Sequence, residues 1–182
     1  MNYYGGKDLA DSLRTVRKNT LIIAQDIPED QYGFRAAPET RTVAQILTHI
    51  AVSHKMPEQI HAIKRRTTLE GFDFPGLMHS IVAEEQTPRS KAQIIALLRD
   101  DGERWAKWLE SQSDDFLAER VKLPAGMTPP SKSRFEMLLS TKEHEMHHRS
   151  QLMLIERMLG IVPHLTRQMQ ERMAAASSSL AR

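Results

Sequence analysis

At three places where a helical apolar run begins, a serine or threonine is followed three residues later by a glutamine or glutamate. The pairs are Thr42 with Gln45, Ser90 with Gln93 and Ser133 with Glu136. In each, the hydroxyl can accept a hydrogen bond from the amide of the third residue, while that residue's side chain reaches back to the cap amide. Three such starts, with few alternating strand-like runs between them, commit the chain to helices.

The apolar periodicity extends each start into an element. A first helix is expected from about Lys7 to Asp26, with Leu9, Leu13, Val16, Thr20 and Ile23 or Ala24 on one face. The second begins after Thr42 and carries Val43, Ile46, Leu47 and Ile50; Pro57 predicts a kink, because it lacks the amide proton and clashes with the carbonyl of Ser53. A long connection follows, with a short helical turn around Leu77 to Glu84. The third helix is expected over 90–111 and the fourth from Ser133 to Gly160, where glycine in the C′ position and Pro163 beyond it end the run. The expected fold class is all-α: a four-helix bundle with a long connection between the second and third helices. Residues 1–164 are expected to form the bundle, and 165–182 a tail that is partly helical or disordered.

The fourth helix contains "HEMHHRSQ", with His144, His147 and His148 inside five residues. Successive residues on a helix turn by about 100°, so His148 lies about 40° from His144 and about 6 Å along the axis. Two imidazoles so placed can address one ion. The chain has no cysteine, so any metal must be held by His, Asp or Glu. His147 falls near the edge of that face. His49, between Ile46 and Ile50 on the second helix, is the best third ligand; the plainer alternative is a core histidine bonded to a carbonyl or carboxylate. His54, His61, His79 and His164 read as structural or exposed.

The same residues spell His-Glu-x-x-His, the pattern in which Glu145 would be the general base of a zinc protease. Against that reading, Gln151 stands where the metzincin glycine belongs, and there is almost no strand to align a peptide. Glu145 points about 100° away from His144 and is expected to be exposed, as is Glu143. Tyr3, Tyr4 and Tyr32 are candidates for the mouth of a cleft.

Formal charge is +2 and aromatic residues make up 5% of the chain, so neither supports nucleic-acid binding. The N-terminal stretch has no signal-like apolar run, and no segment reaches the length of a membrane span. No membrane association and a cytoplasmic location are therefore expected.

Three longer stretches resemble the DinB/YfiT-like superfamily: "IPEDQYGFRAAPETRTVAQILTHIAVSH", "DFPGLMHSIVAEEQTPRSKAQIIALL" and "HEMHHRSQLMLIERMLG". The resemblance implies a four-helix bundle that holds a divalent transition metal (Zn, Ni or Fe) through three histidines, here His49, His144 and His148. Arg149 and Gln151 match the motif that follows the last histidine; Ser150 departs from it, standing where glycine is common. Characterised relatives include thiol-dependent transferases and isomerases that use bacillithiol or mycothiol. The resemblance thus implies a metal-dependent small-molecule transferase or hydrolase with an open metal position, a low-molecular-weight thiol as a candidate partner, and a homodimer in which Met153, Met158, Met169 and Met173 could take part. The competing class is a non-catalytic, metal-stabilised bundle acting as a stress-related binding module.

Overall fold

The computed structural model describes residues 4–180. Helix α1 spans Gly6–Asp26, α2 Val43–Val52, and a single turn α3 Lys55–Pro57 that runs into a π-helical segment Glu58–Ile63. Then come α4 (Phe74–Glu85), α5 (Lys91–Glu110), α6 (Asp114–Ala118), a two-stranded antiparallel hairpin of β1 (Arg120–Lys122) and β2 (Ser131–Ser133), α7 (Arg134–Met158) and α8 (His164–Leu180). No helix is long and apolar enough to cross a membrane, among the described residues.

All three capping boxes form as the spacing predicts. Thr42 Oγ1 accepts from the Gln45 amide at 3.1 Å while Gln45 Oε1 accepts from the Thr42 amide at 2.9 Å, and Ser90 and Ser133 open α5 and α7 in the same way. Gly160, at φ +77°, closes α7. The Ile161 amide reaches back to the Glu156 carbonyl at 2.8 Å and the Gly160 amide to Arg157 at 3.1 Å, the paired bonds of a Schellman ending. The regular helix is interrupted ahead of Pro57: α2 stops at Val52, the single turn Lys55–Pro57 follows, and the chain continues in the π segment, where the Lys64 amide bonds the Gln59 carbonyl at 3.0 Å. The connection between α2 and α5 departs from the expected single turn. Asp73 caps a full twelve-residue helix there, accepting from the Gly76 amide at 2.9 Å with Pro75 in the first turn.

The bundle consists of α1, α2, α5 and α7. Helices α1 and α2 each pack against both α5 and α7, so the two sequence neighbours face one another across the bundle diagonal, and α4 lies over α2. The predicted stripe of α1 is buried throughout, with Leu9, Leu13, Val16, Thr20, Ile23 and Ala24 all inside. Arg17 beside that stripe is buried too. Its guanidinium passes over Gly102 of α5, where an added Cβ would lie 2.5 Å from Nη1, so a side chain there would displace the guanidinium.

Glu145 is buried, not exposed: its carboxylate receives Arg17 Nε at 2.9 Å and the Thr20 hydroxyl at 2.7 Å. A second side of α7, about a quarter turn from the one that faces α2, is covered by α1, so turning away from His144 leads into a second interface and not into water.

Of the tyrosines placed at a cleft mouth, Tyr32 is buried with its hydroxyl donating to the Ala24 carbonyl at 2.7 Å, and Tyr4 packs edge-on against Phe135. Tyr3 lies outside the described residues. Met153 is packed at the margin of the core, whereas Met158, Met169 and Met173 are exposed at the end of α7 and along α8.

Candidate metal centre

Helices α2 and α7 bring His49, His144 and His148 together. The His49 and His144 Nε2 atoms are 3.2 Å apart, as are those of His144 and His148. His49 and His148 are buried, and His144 is partly open. The i,i+4 spacing sets the α7 pair, and the capped α2 presents His49 from the facing helix.

The outer nitrogens decide what the inner ones can do. His49 Nδ1 lies 2.5 Å from Glu85 Oε1, and His148 Nδ1 lies 2.9 Å from Gln151 Oε1. A carboxylate and an amide oxygen are acceptors, so each Nδ1 carries the proton and each Nε2 is a bare lone pair. Both lone pairs face His144 Nε2, which can offer one proton at most. With neutral imidazoles, at least one close N···N contact therefore sets lone pair against lone pair. A cation among the three nitrogens removes that repulsion, and three imidazole nitrogens are a preferred donor set for zinc and other transition metals. The spacing agrees, since donors on one tetrahedral ion at about 2.0–2.1 Å stand about 3.3 Å apart. The three histidines fit a divalent ion.

Electrostatics keeps them in the ligand form. Burial, followed by repulsion from His148, His49 and His147, pushes His144 down to about 4. Burial also lowers His49, against the opposing pull of Glu85, and lowers His148, against that of Gln151. All three are neutral imidazoles at pH 7.

Glu85, from α4, was not anticipated as part of the site. Its carboxylate is buried and spans two partners, His49 on Oε1 and Arg41 Nε on Oε2 at 2.8 Å. Holding the non-ligating nitrogen of a histidine in this way fixes tautomer and ring orientation. Nothing in the local pattern marks Glu85, which is 36 residues from its partner. Gln151 proves to be the second such support, and its Nε2 also lies 3.3 Å from Nε2 of the exposed His147. Nε of Arg149 is buried and finds no hydrogen-bond partner among the described residues. Ser150 turns outward and bonds the Met146 carbonyl at 3.0 Å, so its departure from glycine leaves the triad untouched.

The remaining histidines take other roles. His54 is buried against Trp105 and accepts from Arg104 Nη2 at 2.9 Å, and His61 accepts from Arg134 Nη1 at 2.9 Å. His164 is buried beside Asn19, and His79 is exposed. Glu145 faces Arg17 and not the triad, so the His-Glu-x-x-His spacing has no protease geometry.

The fold is thus a bundle of four helices in which three imidazoles converge, with the outer nitrogens of His49 and His148 each held by a polar side chain. Residues 12–152 match the DinB superfamily, and the chain belongs to it. Among solved structures, YfiT of Bacillus subtilis, described as a probable metal-dependent hydrolase with an unusual four-helix bundle topology, aligns at 18% identity over 88% of this chain and 91% of that one, TM-score 0.67. The DinB-like protein YjoA of Bacillus subtilis aligns at 18% identity over 84% and 92%, TM-score 0.60. The sibling lethal factor precursor DfsB aligns at 15% over 88% and 100%, TM-score 0.63. At these identities the likeness is one of fold. No curated protein matches the chain.

Proposed function

We propose that this chain is a divalent-metal-dependent hydrolase or thiol-dependent transferase acting on a small molecule, with His49, His144 and His148 as the metal ligands. The observation that carries the reading is the pair of bare Nε2 lone pairs, fixed by Glu85 and Gln151, aimed at a third imidazole. The superfamily membership and the description of YfiT as a probable metal-dependent hydrolase point the same way.

A bound divalent ion would supply Lewis acidity, polarising a substrate oxygen or favouring deprotonation of a water or thiol nucleophile. The chain's own residues prepare for it. Glu85 and Gln151 hold two rings in one tautomer, burial keeps all three neutral, and the partial opening at His144 leaves one side of the triad accessible. Because the chain has no cysteine, a thiol nucleophile would come from outside, as a low-molecular-weight thiol, and water is the alternative. A homodimer would draw on the exposed Met158, Met169 and Met173 face.

The test is metal content of tag-free protein beside His49→Ala, with ester hydrolysis and thiol transfer assayed on both. One transition-metal ion per chain, lost in the variant together with turnover, is the expected result. Metal without turnover would leave a metal-stabilised binding module. No metal after reconstitution would end the reading.

A further inference from the structure

A cleft of about 610 Å³ opens beside the two side chains that steady the triad. Glu85 and Gln151 form part of its wall. Its floor is apolar, with Ile46, Val82, Leu154 and Ile155, and its rim comes from the loop before α2, which contributes Arg35 and Arg41. The volume lies in the usual range for small-molecule sites.

Formal charges on the wall cancel, with Glu39 and Glu85 against the two arginines, so net charge says nothing about the occupant. Hydrogen-bond supply does. Both Glu85 oxygens are already used, by His49 and by Arg41 Nε. Arg41 spends only Nε there, and its two terminal nitrogens have no partner among the described residues. Arg35 gives one terminal nitrogen to the Thr40 carbonyl and keeps the rest. Gln86 accepts from Gln45 Nε2 at 2.8 Å, which leaves its own amide nitrogen free to donate. The wall therefore has unfilled donors in planar guanidinium forks and an apolar floor below them. Such forks match a carboxylate or phosphate edge, and each is worth more when partly withdrawn from water.

We infer that this cleft binds an acidic small molecule, its carboxylate or phosphate on Arg41 and Arg35 and its apolar body on Ile46, Val82 and Leu154. The inference rests on the reading that the histidine triad beside the cleft is the reactive centre, and makes a small organic anion the substrate class. Arg41 then has two duties, since the guanidinium that would take the anion also holds Glu85 against His49.

Hexanoate, 1-hexanol and hexylamine share a chain and differ at one end. Their binding to the full-length protein as purified is read by ¹⁵N-edited NMR titration, which follows arginine Nε–H signals and needs no turnover. Hexanoate is expected to saturate at concentrations at least tenfold lower than the alcohol or amine. Arg35→Ala, which touches neither Glu85 nor the triad, is expected to cut that preference at least threefold with metal content unchanged, and Val82→Trp to weaken hexanoate and hexanol alike by filling the floor. Equal binding of hexanoate and hexanol would overturn the inference. So would a hexanoate preference that survives both Arg35→Ala and Arg41→Ala, because the carboxylate would then be held elsewhere, for instance on a metal ion. The outcomes separate from those for the metal-dependent reading: hexanoate selectivity in protein that neither retains metal nor turns over substrate sinks that reading alone, and turnover without selectivity sinks this one alone.

Discussion

Arg17 and Glu145 meet in the centre of the bundle through two near-parallel hydrogen bonds, Nε to Oε1 at 2.9 Å and Nη2 to Oε2 at 3.0 Å, with both side chains buried. The pair clamps α1 to α7 on the side of α7 away from His144. Removing one member of a buried pair strands the other charge, at a cost of about 3–5 kcal/mol. Glu145→Ala is accordingly expected to lower unfolding free energy by about that amount while the folded fraction keeps its full metal content. Urea unfolding and metal analysis on the same preparation check this; a stable variant that has lost turnover would restore the protease assignment.

Glu85 should act on metal through His49. Glu85→Ala frees the ring to rotate and change tautomer, and loss of such a support lowers metal affinity by about 10–100-fold. Glu84→Ala, next along the chain but paired with Lys55 and Arg89, is the control and should leave affinity unchanged. Competition with a calibrated chelator measures both. Equal affinities in the two variants would remove Glu85 from the site.

Acid should loosen the fold through two histidines remote from the triad. Burial pushes His54 and His61 down to about 4 from an ordinary 6.5. The unfolded chain therefore takes up protons below pH 6.5 that the folded chain refuses, so stability is lost as pH falls from about 6.5 to about 4, by at most about 3 kcal/mol for each histidine. Unfolding free energies at pH 7, 5.5 and 4.5 should slope downward. His54→Gln and His61→Gln should each flatten the slope, and an unchanged slope in both would show that other groups cause it.

Glu156 has the opposite sign. It is fully buried, neither carboxylate oxygen has a partner, and burial together with Asp26 raises its pKa to about 7 from 4.5. The folded state holds this proton more tightly, so the contribution is intact below about 4.5 and is lost as pH rises through 7. Glu156→Gln should stabilise the protein at pH 8 by up to about 3 kcal/mol and change little at pH 4. His54, His61 and His144, all pushed down to about 4, outweigh one glutamate, so the wild-type profile still falls toward acid. A variant less stable than wild type at pH 8 would mean that the ionised carboxylate has a partner after all.

The helices were legible because what forms them is local. A cap at Thr42 or Ser133, an apolar stripe on α1 and a glycine at position 160 all act within one or two turns, and the chain spells them out. Helix α4 is less legible, because its apolar residues make no clean stripe and its cap at Asp73 is not a capping box.

The site divides along the same line. His144 and His148 belong together by helical spacing alone, and His49 could be placed near an apolar face, so the sequence by itself determined which imidazoles were available and which helix face two of them share. Only tertiary structure decided that α2 and α7 touch there, that Glu85 of α4 and Gln151 fix the outer nitrogens, and that Glu145 is buried against Arg17. The physical reason is range. Backbone hydrogen bonds and side-chain periodicity act over three or four residues, whereas the rotation of one helix against another is set by interlocking side chains far apart in the chain, and a quarter turn of α7 exchanges solvent for a second helix.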